Sequence, residues 1–277
     1  MAIDPKHIAA NQRSWNVATA NHNRHKGDQA AWLRNGGNTL FPEELELLGD
    51  PRGRDLVHLQ CNAGQDTLCL ARRGARVTGV DLSDHAIAFA RDLSDQTGIP
   101  ASFVQSEVVA WTHETDQRFD IAFASYGVLG WNEDLAAWMA GAHRVLRPGG
   151  MLVMIEYHPL TWSLGPTLGL DGDDYFERGP YLDPVGDYTA ESMEQLGAPG
   201  PESRHPNPEP ATSWQYTLAQ TVMAILGAGF TLEHLQEYPF SNGCRSNEQL
   251  VLGEGRRWYL PAGRTRLPLM FGFRARA

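Results

Sequence analysis

The chain has 277 residues, of which 42% are hydrophobic and 20% are charged, and its formal net charge at pH 7 is −10. This length suits one large domain or a catalytic domain with an inserted cap, and the apolar fraction suffices for a sizeable core. The acidic balance argues against a nonspecific nucleic-acid surface, which needs clustered Lys and Arg. No apolar run reaches the ~18 residues of a membrane helix, and no hydrophobic segment typical of a secretory signal follows the first methionine.

The three cysteines are odd in number and lack the spacing of metal ligands. We therefore expect free thiols in a cytoplasmic protein and no metal site. Cys61 and Cys69 lie among apolar residues, which favours burial as small hydrophobic side chains.

The first 50 residues are predicted to form a helical segment. Residues 30–33 are compatible with a helix that Gly36-Gly37-Asn38 would end, and Pro42 begins a second helix over residues 43–48.

From residue 55 onward, strand-like apolar runs alternate with helix-like amphipathic stretches. Ser83 is a good N-cap for a helix, and Arg147-Pro148-Gly149-Gly150 is predicted to separate a helix from the fifth strand. Near-continuous apolar strands between amphipathic helices indicate a parallel, doubly wound sheet covered on both faces. The predicted strands are 56–59, 75–80, 101–105, 119–125 and 151–157, and the predicted helices are 67–73, 84–93 and 133–146.

Residues 159–212 break this pattern because glycine and proline recur throughout. We interpret them as an insertion, part mobile loop and part cap with short strands, since a structureless loop of this length is uncommon unless it is functional. A helix at 217–227 and strands at 230–237 and 267–275 then complete a seven-stranded, mostly parallel sheet.

A ligand crevice is expected at the carboxyl ends of the first two strands. Gly64 stands at the entrance of the helix that follows the first strand, and Asp81, seventeen residues later, ends the second strand. A carboxylate there accepts hydrogen bonds from a ribose diol, whereas the glycine-poor loop leaves little room for a pyrophosphate. These residues favour a nucleoside with an amino-acid tail, S-adenosylmethionine (SAM), over NAD.

Four motifs in this order resemble those of class I SAM-dependent methyltransferases. They are residues 56–64, residues 77–83, the pair Phe119-Asp120, and residues 146–150. Residues 37–40, 58–61, 125–129 and 267–271 extend the resemblance to a bacterial subgroup that acts on small molecules. The resemblance implies a Rossmann-like α/β fold, with a helical lid at 1–50, a SAM-binding half at 51–158, an inserted cap or substrate loop at 159–212 and the rest of the sheet at 213–277.

The same resemblance implies which residues hold SAM. Glu107 would meet the adenine amino group, the backbone N–H of Val108 the ring, Asp81 the ribose, and Ser125 the methionine moiety. Trp15 and its neighbour Asn16 would close over the cofactor. The remaining implied cofactor residues are Thr39, Gln60, Cys61, Asn62, Gly64 and Leu82.

The first motif departs from the family pattern at three positions. Related enzymes carry Asp at position 58 and Gly at 60 and 62, whereas this chain has His58, Gln60 and Asn62. The carboxylate near the methionine ammonium group is therefore missing. We expect amide oxygens of Gln60 and Asn62, helped by backbone carbonyls, to replace it.

Methyl transfer needs in-line alignment of acceptor, methyl and sulfur, and sometimes a base. His158, which follows the fifth strand, is the predicted base; its alternative is a hydrogen-bonded structural histidine. Glu156 would orient His158 or bind a substrate cation. Tyr126 and Trp131 would wall the acceptor pocket.

The predicted activity is methyl transfer to a nitrogen or oxygen of a small molecule, such as a secondary metabolite, with carbon a third option. A small-molecule acceptor is the expected partner, with no nucleic acid or membrane; a homodimer stays open. One alternative is a non-catalytic SAM-binding module. The other is an NAD-dependent oxidoreductase, whose Gly-x-Gly-x-x-Gly turn is lacking at residues 60–65.

Overall fold

The computed structural model describes residues 4–189 and 205–277. Three helices occupy the N-terminal segment: α1 (Pro5–Arg24), α2 (Gln29–Arg34) and α3 (Pro42–Leu48). Asp4 caps α1 by accepting from the backbone N–H of Lys6, and Asp28 caps α2 in the same way at Ala31. The residues that α1 buries are mostly polar, so the hydrophobic periodicity that reveals a helix is absent there.

The next part of the chain alternates strands and helices as predicted. Ser83 caps α5 by accepting from the backbone N–H of Ala86, which confirms its predicted role. A short helix, Val108–Glu114, lies between the third and fourth strands, where the sequence analysis placed no element. The elements are β1 (Asp55–Leu59), α4 (Gln65–Arg72), β2 (Arg76–Asp81), α5 (Asp84–Thr97), β3 (Ser102–Gln105), α6 (Val108–Glu114), β4 (Phe119–Ser125), α7 (Leu135–Arg144) and β5 (Leu146–Tyr157).

Strand β5 begins five residues earlier than predicted. Leu146 already pairs with Phe119, and the register shifts before Ile121 pairs with Met151. Gly149 adopts a φ of 77°, which glycine tolerates, so the Pro-Gly-Gly segment forms an irregularity inside the strand rather than a loop before it.

Two short strands lie within the predicted insertion, β6 (Tyr181–Pro184) and β7 (Pro210–Ser213), and they pair antiparallel. Asn11 of α1 bonds the backbone of Thr212 in both directions, donating to its carbonyl at 2.9 Å and accepting from its N–H at 2.6 Å. The polar face of α1 therefore packs against this strand pair. The predicted insertion also includes residues 190–204, which lie outside the described residues.

The C-terminal part contributes a helix, two strands of the main sheet and a small separate sheet. The predicted helix and strands are confirmed to within three residues at each end. The small antiparallel sheet, of order β10-β11-β9, was not predicted. The elements are α8 (Leu218–Gly227), β8 (Thr231–Tyr238), β9 (Phe240–Asn242), β10 (Val251–Leu252), β11 (Arg257–Tyr259) and β12 (Met270–Arg276).

The main sheet has seven strands in the order β3-β2-β1-β4-β5-β12-β8. The first five run parallel, while β12 is antiparallel to both of its neighbours. From β1 the chain builds outward to β2 and β3, and then returns to add β4 and β5 on the other side. The carboxyl ends of β1 and β4 thus form the switch point at which such sheets bind ligands, and the predicted doubly wound fold is confirmed.

Apolar side chains cover both faces of this sheet. One cluster packs Trp138 and Met139 of α7 against Phe271 and Phe273 of β12, and the other packs α2 to α5 against the opposite face. Cys61 and Cys69 are buried as expected. Among the helices of the described ranges, none is both long and apolar enough to cross a bilayer.

Candidate cofactor-binding site

A crevice opens at the carboxyl ends of β1, β2 and β4, where α1 forms part of its wall. Ten of the predicted site residues line it: Trp15, Gln60, Cys61, Asn62, Asp81, Leu82, Glu107, Val108, Ser125 and Tyr126. The other four, Thr39, Gly64, Glu156 and His158, do not.

The loop after β1 turns through three left-handed residues. Gln60, Asn62 and Gly64 have φ angles of 57°, 48° and 78°. Gly64 is also required sterically, because a Cβ there would lie 2.6 Å from the Cβ of Ala90. Gln60 and Asn62 therefore adopt backbone conformations that usually require glycine. The left-handed conformation costs roughly 1 kcal/mol or more of conformational free energy per residue, and less for Asn.

The side chain of Gln60 offsets that cost by joining the loop to the segment after β4 and to α7. Its Nε2 donates to the Val128 carbonyl at 3.1 Å, and its Oε1 accepts from Trp138 Nε1 at 2.9 Å and from Asn132 Nδ2 at 3.2 Å. Both lone pairs of Oε1 are therefore engaged. This arrangement does not support the predicted contact between Gln60 and the methionine ammonium group.

Asn62 likewise uses its amide oxygen locally. Its Oδ1 accepts from the backbone N–H of Ala63 at 2.6 Å. This bond fixes the left-handed turn that Asn tolerates better than most residues. One lone pair of the amide oxygen is thus used within the loop, and the other stays free.

Replacing Gln60 with Gly should lower the free energy of unfolding by about 1–3 kcal/mol, because the indole N–H of buried Trp138 loses its acceptor. Relief of the left-handed strain offsets part of this loss. Asn62→Gly is the matched control, with an expected change within about 1 kcal/mol. Urea unfolding of both variants measures the difference, and an equal effect would contradict the anchoring role of Gln60.

Asp81 ends β2 with its carboxylate facing the crevice. Oδ2 accepts from the backbone N–H of Asn62 at 2.7 Å, and Oδ1 accepts from that of Ser83 at 2.9 Å. Burial raises the pKa of Asp81 to about 6. Each oxygen keeps a further lone pair, so the carboxylate is fixed in place yet able to accept two more hydrogen bonds.

Glu107 and Val108 stand on the β3 side of the crevice. The Glu107 carboxylate caps α6 by accepting from the backbone N–H groups of Val109 at 2.9 Å and Ala110 at 2.6 Å. Beside them, the Leu82 carbonyl accepts from Gln105 Nε2 at 3.0 Å. The capping fixes the two residues predicted to meet adenine at the start of a short helix that the sequence did not reveal.

Helix α1 is tied to the far rim through Asn16. Asn16 Nδ2 donates to Asp84 Oδ1 at 2.8 Å, and Ser83 Oγ donates to Asn16 Oδ1 at 2.6 Å. The preceding residue of α1 is Trp15, whose ring meets the Trp131 ring edge-on at a centroid distance of 5.3 Å. Both predicted aromatic residues therefore meet above the crevice.

Tyr126 lines the crevice at the end of β4 with a φ of 51°. Its hydroxyl accepts from Asn242 Nδ2 at 3.0 Å, and its ring lies 5.8 Å from that of Tyr157. Burial raises the pKa of Tyr126 well above its ordinary value, so the hydroxyl stays protonated at neutral pH. The residue is placed as a wall and not as a base.

The carboxylate of Glu156 anchors the loop after β4 through hydrogen bonds to its backbone. It accepts from the backbone N–H groups of Gly127, Val128 at 2.7 Å, Leu129 at 3.1 Å and Tyr157 at 2.7 Å. The side chain is 5% exposed and lies outside the crevice. The predicted role of orienting a base is not supported, because the carboxylate is committed to the backbone.

His158 also lies outside the crevice. Its Nδ1 accepts from the backbone N–H of Leu160 at 3.1 Å, and its Nε2 lies 3.0 Å from Glu237 Oε1. These contacts favour the alternative interpretation of His158 as a hydrogen-bonded structural histidine. The position of His158 does not support the predicted role of base. Thr39 is similarly remote, with its hydroxyl 3.4 Å from Cys69 Sγ.

Several crevice residues were missed by the sequence analysis. Asp66 lies in the first turn of α4, and His58 donates to or accepts from Thr67 Oγ1 at 2.9 Å while burial lowers its pKa to about 4. His7 stands at the rim, with Nδ1 3.2 Å from Glu133 Oε2. Others come from α1, the insertion and the residue that follows β7, which only tertiary packing brings together: Ile8, Asn11, Tyr188 and Trp214.

Comparison with known proteins agrees with this geometry. A methyltransferase domain family matches residues 57–150. An uncharacterized methyltransferase from Synechocystis is 32% identical over 143 residues, which cover 50% of this chain and 65% of that protein. A SAM-dependent Diels-Alderase from Neonectria is 29% identical over 152 residues, covering 55% and 56%. The chain thus matches less than two thirds of the length of these relatives.

Solved structures share the fold over most of the chain. A SAM-dependent methyltransferase from Mesorhizobium loti superimposes with a TM-score of 0.60 at 22% identity, covering 87% of this chain and 99% of that one. Another, from Clostridium acetobutylicum, gives 0.53 at 11% identity, covering 80% and 83%.

The matched domain spans β1 to the start of β5, which are the strands that build the crevice, and the remaining strands complete the sheet of the same fold. Residues 57–150 thus match a methyltransferase domain, and the chain has the fold of SAM-dependent methyltransferases.

Proposed function

We propose that the chain transfers a methyl group from SAM to a nitrogen or oxygen of a small molecule, with carbon a third option. The observation that carries this proposal is the Asp81 carboxylate, held by two backbone N–H groups at the carboxyl end of β2 and open toward the crevice. A carboxylate in this position suits the two hydroxyls of a ribose. The methyltransferase domain match at residues 57–150 supports the same assignment.

The order of the strands supports one direction for the cofactor. Glu107 and Val108 follow β3, Asp81 ends β2, and Ser125 ends β4 on the other side of β1. Adenine, ribose and the methionine tail would then lie along the sheet edge in this sequence. Bound SAM supplies a methyl group that is already activated by the sulfonium charge.

The chain's own contribution is alignment and exclusion of water. Trp15, Trp131 and Trp214 line the crevice together with Tyr126, so the acceptor would lie among aromatic rings. Holding an acceptor in line with the methyl group supplies several kcal/mol of the barrier reduction, on the order of 7 or more in the best cases. Because His158 lies elsewhere, this proposal depends on positioning and not on a base from the fifth strand.

Incubation with methyl-labelled SAM and a panel of small amines, phenols and carboxylic acids tests the proposal. We expect a labelled product together with S-adenosylhomocysteine (SAH). Binding of SAH without transfer to any acceptor class would instead favour the non-catalytic SAM-binding module. Absence of SAH binding would contradict both.

The affinity for SAH should depend on pH through Asp81, whose pKa burial raises to about 6. The ionised carboxylate is the form that accepts two hydroxyl hydrogen bonds, so a proton competes with the ligand. The affinity for SAH should be constant between pH 7 and 8 and should fall as the pH drops below about 6. Well below that pH, the dissociation constant should rise by about tenfold for each pH unit. Calorimetric titration from pH 5 to 8 measures this, and a profile that stays flat would contradict it.

A further inference from the structure

The crevice contains a carboxylate for which the proposed nucleoside contacts leave no role. Asp66, in the first turn of α4, lines the crevice between the loop after β1 and the end of β4. Its Oδ2 lies 3.5 Å from Ser125 Oγ, at the outer limit of a hydrogen bond. Within the described ranges, no Lys or Arg comes within 4.0 Å of it.

The two other acidic residues of the crevice are bound more firmly. Asp81 accepts from two backbone N–H groups, and so does Glu107. Asp66 thus retains most of its capacity to accept hydrogen bonds from a ligand, and the Lys26 ammonium interacts with it only beyond ion-pair distance.

The position of Asp66 along the sheet edge indicates which part of the cofactor it would meet. With adenine beside β3 and ribose beside β2, the amino-acid tail would extend toward the carboxyl ends of β1 and β4. Asp66 lies there, since it contacts Ser125 at the end of β4. That tail carries an ammonium group, which a carboxylate binds by charge-assisted hydrogen bonds.

The residues expected to meet the ammonium group offer it no negative charge and few free lone pairs. His58 replaces the usual Asp, and burial lowers its pKa to about 4, so it carries no charge at neutral pH. The amide oxygens of Gln60 and Asn62 accept from Trp138, Asn132 and Ala63. The negative charge lost at position 58 is thus present eight residues later in the chain, on the same wall of the crevice.

We propose that Asp66 binds the ammonium group of the cofactor's amino-acid tail in place of the carboxylate missing at position 58. This inference rests on the proposed function, because it requires SAM in the crevice. A purely structural role is the alternative, because an acid in the first turn stabilises a helix through the helix dipole. The two roles differ in how they affect ligands with and without the tail.

Calorimetric titration of the wild-type chain and Asp66→Asn with two ligands separates them. SAH carries the amino-acid tail, whereas 5′-methylthioadenosine has the same nucleoside and sulfur without it. We expect Asp66→Asn to weaken SAH binding by about 10- to 100-fold and to change 5′-methylthioadenosine binding by less than about twofold. Asp92→Asn, at an exposed position of α5, is the matched control and should alter neither ligand.

A desamino analogue of SAH, which lacks the ammonium group, provides a second test that does not depend on a single variant. It should bind the wild-type chain at least tenfold more weakly than SAH, and this difference should disappear in Asp66→Asn and in Asp66→Ala. Equal losses for SAH and 5′-methylthioadenosine, or no loss for either, would overturn the role of Asp66 while leaving SAM binding intact. Failure of the wild-type chain to bind SAH would overturn the proposed function as well.

Discussion

Asp81→Asn should weaken SAH binding by about 100-fold or more. The substitution keeps the shape of the side chain but removes the negative charge that strengthens two hydroxyl hydrogen bonds, each worth about 1.5–3 kcal/mol with a charged acceptor. Isothermal titration calorimetry at pH 7.5 measures the change. The loss should be as large for 5′-methylthioadenosine as for SAH, since both carry the ribose.

Asp92→Asn serves as the control for Asp81, because it removes the same charge from an exposed position on the neighbouring helix. Its affinity for both ligands should equal that of the wild-type chain. If Asp81→Asn folds normally and also keeps wild-type affinity, the nucleoside does not lie against the end of β2.

Glu156→Ala should lower the free energy of unfolding by about 3–5 kcal/mol. The carboxylate accepts from four backbone N–H groups, three of them in the loop after β4, and its removal leaves buried donors without partners at about 1–3 kcal/mol each, reduced where water enters. Urea unfolding followed by circular dichroism measures the loss.

Glu237→Ala is the comparison for Glu156, since this glutamate pairs with His158 from a side chain that is 49% exposed. We expect it to change stability by less than about 1 kcal/mol. Similar effects of the two substitutions would contradict the assignment of Glu156 to the scaffold of the loop.

The strands of the main sheet and the helices between them were predictable because local sequence patterns mark each of them. Each parallel strand is an apolar run, and the α4, α5, α7 and α8 helices show amphipathic spacing, so period and length suffice to place them. The end of β2 at Asp81 and the cap at Ser83 follow from the same local chemistry. The crevice residues that adjoin these strand ends were therefore predictable as well.

Helix α1 and the small β9-β10-β11 sheet were harder to predict, because neither shows a repeating pattern of apolar residues. The inner face of α1 is mostly polar, and its Asn, Ser and His side chains bond to the insertion, so no apolar stripe marks the helix. The small sheet contains strands of two and three residues, which are too short to show alternation.

Side-chain roles in the crevice depend on contacts that no local pattern reveals. The side-chain oxygen of Gln60 accepts hydrogen bonds from Trp138 and Asn132, which lie more than 70 residues away in the chain. His158 stands at the carboxyl end of β5, as predicted, but its ring packs edge-on against Phe271 rather than entering the crevice. Asp66 looks like an ordinary first-turn acid in the sequence, and only the fold brings it beside Ser125.

A crystal structure of the chain with SAH is the most direct test of the nucleoside site. We expect both ribose hydroxyls within hydrogen-bond distance of the Asp81 carboxylate, the adenine beside Val108, and the amino-acid tail at the end of β4. A nucleoside bound elsewhere at saturating SAH, with nothing against Asp81, would contradict the account.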